Sequence, residues 1–241
     1  MSKLVIPDKA LFSDRHKNYF PKNPLLRFAK LRYFHLSEEL SDRYSLKGRA
    51  LDLGCGEGFF IPTLSKRFDE VVAVDCNPTL YKNAKNLVKV LKLQNVKVIY
   101  NKGGKLRPFL KKRFNVIYCH EIFEHVLDLP PFFKELKSLL SHGGHLVFSV
   151  PIEVGSSLFF KEIASKIFGR YRESYTLQEL FKASVLWDTS GIPNTGKHKG
   201  FDYRSFLRVL NKHFEVLEIH FEPLPLGPFL NRGLVGIARK K

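Results

Sequence analysis

Cysteine and long apolar runs are both scarce in this sequence. Its 241 residues include three cysteines, and the spacing of Cys55, Cys76 and Cys119 pairs none of them. This excludes a disulfide-stapled secreted domain, and we expect a reduced, cytoplasmic protein. No apolar stretch is long enough to span a bilayer, and the N-terminal residues lack the apolar core of a signal peptide. Internal repeats and low-complexity segments are also missing.

Acidic residues are scarce beside basic ones. The chain has 23 Asp and Glu against 40 Lys and Arg, which gives a formal net charge of +17. The excess favours anionic partners: RNA, an acidic small molecule or an anionic membrane surface. A lysine-rich proteome would produce the same excess, because net charge influences association and not the fold. Hydrophobic residues make up 44%, which argues against a disordered chain.

A glycine-rich turn at residues 51–58, with the sequence LDLGCGEG, organises the rest of the chain. Leu51 and Leu53 predict a short buried strand, and three glycines then form a tight turn into a helix. Without side chains in the way, polar groups of a cofactor can approach such a turn closely. The spacing is G-x-G-x-G, which differs from the G-x-G-x-x-G of dinucleotide-binding folds.

The regular alternation of apolar and amphipathic segments predicts an α/β fold. We expect a Rossmann-like, seven-stranded, mostly parallel sheet. Its last strand should be antiparallel, because the proline-rich loop before it is short. The predicted strands are 50–53, 71–74, 96–100, 116–119, 145–150, 215–221 and 234–238. The predicted helices between them are 59–67, 79–91, 203–212, and 130–140 stopped by Gly143 and Gly144.

Two helical segments are expected to accompany this core. Apolar spacing predicts one or two helices over 25–44, starting at Asn23-Pro24. After the fifth strand, helices at 158–168 and 177–185 suggest an inserted lid, and such insertions commonly supply substrate contacts. The predicted units are an N-terminal helical extension, a cofactor-binding core, a helical lid and the C-terminal part of the core, at residues 1–48, 49–151, 152–200 and 201–241.

Asp75 ends the second predicted strand, about 20 residues after the glycine turn. At that position an acidic side chain can accept hydrogen bonds from both hydroxyls of a ribose. Alternatively, an aspartate at a strand end caps the following helix, although Asn77-Pro78 could do so here. In the ribose interpretation, Cys76 lies beside the adenine.

Three further segments share one resemblance: CHEIFEHV at 119–126, SHGGHL at 141–146 and NPLLR at 23–27. With the glycine turn and the Asp52 that precedes it, they resemble the class I S-adenosylmethionine (SAM) methyltransferases. Within that superfamily they resemble the ubiquinone-biosynthesis O-methyltransferases and the type 11 and type 23 methyltransferase-like group. The resemblance covers roughly residues 23–150 and specifies a superfamily better than a substrate.

The resemblance implies SAM as the cofactor. His120 would line its methionine end, and Arg27 would lie near its carboxylate. Relatives often have an acidic residue after the third strand to bind the adenine amino group; here Asn101 follows that strand, so adenine recognition is expected to differ. The complete predicted cofactor set is Arg27, Asp52, Gly54, Cys55, Gly56, Gly58, Asp75, Cys76, Asn101 and His120.

Methyl transfer from a sulfonium is a one-step displacement, so the protein mainly aligns the acceptor with the methyl group. A hydroxyl acceptor must also lose its proton. The candidate catalytic residues are Glu121, Glu124, His125 and His198. The first three are expected to share one side of a helical turn, and His198 could join them from the lid.

Glu-x-x-Glu-His with a distant His is similar to two metal-using branches of the superfamily. One is the quinone O-methyltransferase group, and the other 2′-O-methylates the 3′ ends of small RNAs. The similarity implies a Mg²⁺ site made by Glu121, Glu124, His125 and His198, which would hold the acceptor oxygens. Alternatively, Glu124 and His125 cap or pack a helix, as in metal-independent relatives, and His198 is a solvated loop residue.

The function predicted from these patterns is SAM-dependent methylation of a small or lipid-like acceptor, at oxygen. An apolar, basic lid suits a hydrophobic or anionic substrate and could rest on a membrane. RNA 2′-O-methylation is the alternative within the class, although no RNP signature is present. From another class, a non-catalytic SAM-fold binding protein would not need the intact glycines and Asp75. A dehydrogenase is disfavoured by the glycine spacing and the antiparallel end.

Overall fold

A mixed seven-stranded sheet forms the centre of the protein. Its computed structural model describes residues 4–13, 19–103, 106, 113–167, 175–196, 198–224, 227–229 and 231–241. The strands are β1 (Arg49–Leu53), β2 (Glu70–Asp75), β3 (Val96–Tyr100), β4 (Phe114–His120), β5 (Leu140–Pro151), β6 (Phe214–Glu222) and β7 (Gly233–Lys240). Their order is β3-β2-β1-β4-β5-β7-β6, with β7 antiparallel to both neighbours. The predicted Rossmann-like fold with an antiparallel last strand is confirmed.

Helices cover both faces of the sheet in the described part of the chain. They are α1 (Pro24–Arg43), α2 (Ile61–Arg67), α3 (Pro78–Val90), α4 (Leu129–Leu139), α5 (Ser156–Ile167), α6 (Leu177–Ser184) and α7 (Tyr203–His213). On one face, α1, α2 and α3 pack against the apolar side chains of β1, β2 and β4. On the other face, α4 and α7 enclose an aromatic core in which Phe133, Phe148 and Phe206 are fully buried.

The strand β5 differs from its prediction. It begins at Leu140, where α4 ends, and continues through Gly143 and Gly144, which were expected to stop the helix and precede the strand. The pairing with β4 shifts register between Phe114 and Val116, so residues 141–144 form an irregularity inside the ladder. Gly143 has φ of +67°, a left-handed conformation that glycine adopts without strain.

The N-terminal extension is dominated by one helix, α1. Asn23 caps it, because its side-chain oxygen accepts hydrogen bonds from the backbone N–H of Leu25 and Leu26. The buried face of α1 is partly polar: the Ser41 hydroxyl lies 2.7 Å from the Tyr118 hydroxyl, and the Ser37 hydroxyl lies 2.8 Å from His120 Nε2. These bonds attach α1 to β4, the strand that leads into the candidate site.

Between β5 and α7 the chain forms α5 and α6, which pack together through Leu158, Leu180 and Ala183. These correspond to the two predicted lid helices; residue 168, the last of the first one, lies outside the described residues. That this segment acts as a lid, and the unit boundaries, stay predictions. Among the described residues, no helix combines the length and apolar character needed to cross a bilayer.

A buried ion-pair group joins α1 to α2. Arg67 Nη2 lies 3.1 Å from Glu38 Oε2 and also bonds to Asp42. Glu38 is 3% exposed. Because a buried carboxylate is costly without its partner, this pair is expected to matter more than the exposed pair of Arg32 and Glu39 on the same helix.

We expect Arg67→Met to lower the free energy of unfolding by about 3–5 kcal/mol, because it removes the guanidinium that offsets the buried Glu38 carboxylate. The matched control Arg32→Met breaks the exposed pair and should cost at most about 1 kcal/mol. Urea denaturation of the two variants measures both losses. Equal losses would show that burial of the Glu38 pair contributes nothing extra.

Candidate cofactor and acceptor site

The glycine turn after β1 lies at the carboxyl edge of the sheet. Gly54, Gly56 and Gly58 have φ of +73°, +57° and +89°. A Cβ atom at position 54 would lie 2.0 Å from Cδ1 of Ile122, in the turn after β4. The positive φ favours glycine at position 54, and the absence of a side chain lets Ile122 pack directly against the turn.

Asp75 is tied to this turn. Its Oδ2 accepts the N–H of Gly56 and its Oδ1 accepts the N–H of Asn77, both at 2.8 Å. The cap of α3 is Asn77, whose side chain accepts the N–H groups of Thr79 and Leu80. Helix capping therefore does not explain Asp75. Its carboxylate is placed beside the glycine backbone at the end of β2, where the sequence predicted a ribose.

A cavity opens beside the turn, lined by groups of two kinds. The first are five aromatic rings, those of Tyr19, Tyr33, Phe34, Phe59 and Phe60. The second are polar residues and the turn itself: Asp52, Glu57, His120, Glu121 and residues 54–56. Of the predicted cofactor set, Asp52, Gly54, Cys55, Gly56 and His120 line the cavity.

His120 is held inside this aromatic group. Its ring lies 5.3–5.5 Å from the rings of Tyr33, Phe34 and Phe60, at steep angles to each. Burial lowers the pKa of His120 to about 3. The side chain is therefore neutral at physiological pH and cannot repel a cationic ligand.

Comparisons with known proteins identify the family. The profile of a methyltransferase domain matches residues 51–148. The chain is 30% identical over 186 residues to the ubiquinone biosynthesis O-methyltransferase of Pelagibacter ubique, covering 73% of this chain and 76% of that one. The chain belongs to the class I SAM-dependent methyltransferase family.

Further relatives agree with this assignment. The enzyme of the same name from Coxiella burnetii is 30% identical over 152 residues, which cover 58% of this chain and 59% of the relative. The chain thus spans about three fifths of the length of the first curated relatives that it matches.

Solved structures show the same fold. The N-methyltransferase NodS of Bradyrhizobium japonicum, in complex with S-adenosylhomocysteine, superposes with a TM-score of 0.61 at 14% identity, covering 95% of this chain and 94% of NodS. A SAM-dependent methyltransferase of Aquifex aeolicus gives a TM-score of 0.59 at 17% identity, covering 95% and 100%.

The cavity of this methyltransferase fits the cofactor of its family. SAM carries two cationic groups, a sulfonium and an ammonium. The cavity offers two kinds of group that bind cations: carboxylates and the faces of aromatic rings. Asp52 is 3% exposed, and its carboxyl group forms no hydrogen bond with the described residues. Burial, with the Asp75 carboxylate nearby, raises the pKa of Asp52 to about 7. A ligand ammonium would supply the missing partner.

A second group of side chains lies after β4. Glu124 is fully buried, and neither of its carboxylate oxygens has a hydrogen-bond partner in the described chain. His125 Nε2 and His198 Nδ1 each lie 3.9 Å from Glu124 Oε1. Burial raises the pKa of Glu124 well above its usual range, and the nearby Glu121 raises it further. We call Glu124, His125 and His198 the acid–imidazole cluster.

The backbone orients both imidazoles of the cluster. His125 Nδ1 lies 2.7 Å from the carbonyl oxygen of Gly196, so Nδ1 donates to that oxygen and Nε2 faces Glu124. Metal-binding histidines commonly have such a second bond. His198 has φ of +76°, a left-handed conformation that is uncommon for residues other than glycine and frequent at functional sites.

Glu121 does not join the cluster as predicted. The three ligand atoms of Glu124, His125 and His198 lie within 4.8 Å of one another, and Glu121 is outside that group. The expected shared helical turn is wrong: it spans only Phe123–His125, and Glu121 precedes it with φ of +54°. Its side chain instead accepts a hydrogen bond from the Ser149 hydroxyl at 3.2 Å and lines the cofactor cavity.

The other five predicted cofactor residues, including Asp75, lie outside the cavity lining. Arg27 is exposed in the first turn of α1, so the structure gives it no place beside the cofactor. Cys76 is exposed and Asn101 is buried, each directly after a strand end. Gly58 lies deeper in the turn, against Ile61 and Ala84.

Sequence reasoning missed the aromatic residues that close the cavity. Tyr19, Tyr33 and Phe34 come from the N-terminal extension, where apolar periodicity indicates core packing and carries no sign of a ligand. These residues reach the glycine turn only through tertiary packing.

Replacing Asp52 by Asn should stabilise the ligand-free protein at pH 8 while weakening the binding of S-adenosylhomocysteine at least tenfold. The pKa of Asp52, about 7, lies above its ordinary value, so the folded state holds the proton and loses stability as pH rises from about 4 through 7. The cost at pH 8 is on the order of 4 kcal/mol. Melting temperatures between pH 5 and 8 measure it.

The exposed Asp69→Asn serves as the control and should change neither the pH profile nor the affinity. A wild-type profile that stays flat from pH 5 to 8, or an unchanged affinity in Asp52→Asn, would contradict the placement of a lone carboxylate against the ligand.

Proposed function

We propose that this methyltransferase moves a methyl group from SAM to an oxygen of a small, lipid-like acceptor. The observation that carries the proposal is the position of the acid–imidazole cluster. The cluster follows Glu121, which lines the cavity, in the turn after β4. This turn lies on the β5 side of the cofactor turn. Ubiquinone biosynthesis O-methyltransferases among the relatives support oxygen as the acceptor atom.

The cofactor would lie across the glycine turn. Asp75 would accept the ribose hydroxyls, since carboxylate oxygens have two lone pairs each and are here oriented by backbone N–H groups. Asp52 would bind the ammonium group, and the aromatic rings of the cavity would face the sulfonium. Cys76 and Asn101 would flank the adenine at the ends of β2 and β3.

The reaction needs alignment and removal of a proton. Neutral His120 and the aromatic walls exclude water from the methionine end, which favours displacement at the methyl carbon. Glu121 lies where the cavity meets the acceptor side, and burial raises the pKa of its carboxyl. A carboxyl with a raised pKa is a stronger base once ionised, so Glu121 is a candidate to accept the hydroxyl proton.

The acid–imidazole cluster fits a divalent cation. Two buried carboxylate oxygens without hydrogen bonds and two convergent imidazole nitrogens are donors that a cation would satisfy. Glu124, His125 and His198 would hold it, and a bound cation would lower the pKa of an acceptor hydroxyl. Because two of the three donors are imidazoles, we propose a transition-metal ion such as Mn²⁺ or Zn²⁺ in place of the predicted Mg²⁺.

Exposed apolar side chains on the inserted helices support a lipid-like acceptor. Phe159, Phe160 and Ile163 on α5, and Phe181 on α6, are each at least 40% exposed. With a net charge of +17, this face suits the surface of an anionic bilayer, from which such an acceptor would be taken.

The proposed function is tested by incubating the protein with radiolabelled SAM and separated lipid, RNA and small-molecule fractions of a cell extract. We expect label in the lipid or small-molecule fraction, on oxygen. Asp75→Ala should weaken the binding of S-adenosylhomocysteine more than tenfold, about 1.4 kcal/mol, and abolish labelling. Label confined to RNA would establish the alternative acceptor, and normal labelling by Asp75→Ala would refute the ribose role.

The metal proposal is tested by titrating Mn²⁺ into the metal-free protein in a calorimeter. We expect one site, lost in Glu124→Gln and at least tenfold weaker in His198→Ala. Glu121→Gln is the matched control, since Glu121 lies outside the cluster. Loss of binding in Glu121→Gln would restore the four-residue site predicted from sequence. Activity that resists chelators, with no Mn²⁺ binding, would assign the cluster to packing.

A further inference from the structure

Arg232 lies directly before β7, and none of the roles above uses it. Because β7 runs antiparallel to β5, its first residue Gly233 pairs with Pro151 at the carboxyl end of β5. Arg232 therefore reaches the edge of the sheet where the active site lies. It does so beside β5, and β5 lies one strand farther from the cofactor turn than β4 does.

The backbone of Arg232 is fixed on both sides. Its N–H donates to the Glu222 carbonyl at 3.0 Å. Its own carbonyl accepts from the N–H of Ile152 and from the Lys161 ammonium, both at 2.9 Å. The residue is thus held by β6, by the end of β5 and by α5, so its side chain starts from a rigid position.

The guanidinium is oriented but only partly used. Nε lies 3.1 and 3.3 Å from the two oxygens of Glu222, and Cζ lies 6.0 Å from the centroid of the Tyr33 ring. Nη1 and Nη2 form no hydrogen bond with the described residues. The side chain is 39% exposed. Tyr33 lines the cofactor cavity, so two free donor groups lie at its rim.

A guanidinium held at Nε presents Nη1 and Nη2 as a planar fork, a geometry that matches the two oxygens of a carboxylate. Neighbouring charges do not create a general positive field, because Glu222 and Glu121 offset Arg232 and Lys161. The donors themselves therefore define the site. An anion bound there would lie on the acceptor side of Tyr33, next to Glu121.

We propose that the methyl acceptor carries a carboxylate, and that Arg232 binds it and selects such acceptors. The inference rests on the proposed methyl transfer to oxygen, and it adds the class of acceptor. Arg232 is a specificity-determining residue in this arrangement: it positions the acceptor and takes no part in the transfer of the methyl group or the proton.

The test compares 3,4-dihydroxybenzoate with 3,4-dihydroxybenzamide, two catechols of the same shape that differ in charge. We expect the wild type to methylate the benzoate with at least tenfold higher kcat/KM, mostly through KM. Arg232→Gln should remove the preference and leave the affinity for S-adenosylhomocysteine unchanged. The matched control Arg239→Gln breaks the exposed pair with Glu215 in the other half of β7 and should keep the preference.

Because Arg232→Gln leaves Glu222 buried without its partner, the double variant Glu222→Gln/Arg232→Gln is measured beside it. Calorimetry measures the binding of the two catechols to the complex with S-adenosylhomocysteine. It tests the proposal even if neither catechol is methylated. No wild-type preference, or a preference that persists without Arg232, overturns the proposal. Tenfold weaker S-adenosylhomocysteine binding in the variants would also overturn it, by assigning Arg232 to the cofactor. Failure of the proposed function appears separately, as label absent from every oxygen acceptor.

Discussion

The contact between Gly54 and Ile122 is the constraint on which the site depends. It joins the turn after β1, which faces the cofactor cavity, to the turn after β4, which precedes the acid–imidazole cluster. A Cβ atom at position 54 would lie 2.0 Å from Ile122 Cδ1, so a side chain there would displace that of Ile122. Methyl transfer requires donor and acceptor to be aligned within a fraction of an ångström. In this fold, the glycine at position 54 lets the two turns that carry the two halves of the reaction lie in contact.

Around that contact, two buried carboxyl groups have no hydrogen-bond partner among the described residues. They belong to Asp52 and Glu124, and burial raises the pKa of both. By contrast, Glu38 and Glu222 are buried with an arginine beside each. A carboxylate that is left unpaired costs stability unless a ligand satisfies it. Asp52 lines the cavity and Glu124 belongs to the cluster, so both of these carboxyl groups lie where a ligand or a cation could satisfy them.

Much of the fold could be predicted from the sequence, because apolar strands and amphipathic helices each have a recognisable spacing of apolar residues. The ends of β3 and the cap at Asn23 follow directly from such patterns. The start of β5 could not be predicted, since Gly143 and Gly144 signal a break and the structure absorbs them as an irregularity within the strand. Glu121 was misplaced for a similar reason: its spacing fits a helical turn, but its positive φ rotates it toward the cavity. Tyr33 and Arg232 reach the site only through tertiary packing, which leaves no local pattern.

The antiparallel last strand explains why a residue so near the C-terminus can reach the acceptor side. In an all-parallel sheet, the residue before a strand lies at the amino edge, away from the ligands. Reversal of β7 turns its beginning toward the carboxyl edge, so Arg232 and the end of β6 arrive beside Pro151. The inserted helix α5 leaves β5 at the same place and fixes that loop through Lys161. Acceptor recognition can therefore vary in the elements after β5, while the cofactor turn after β1 and the carboxylate that ends β2 stay unchanged.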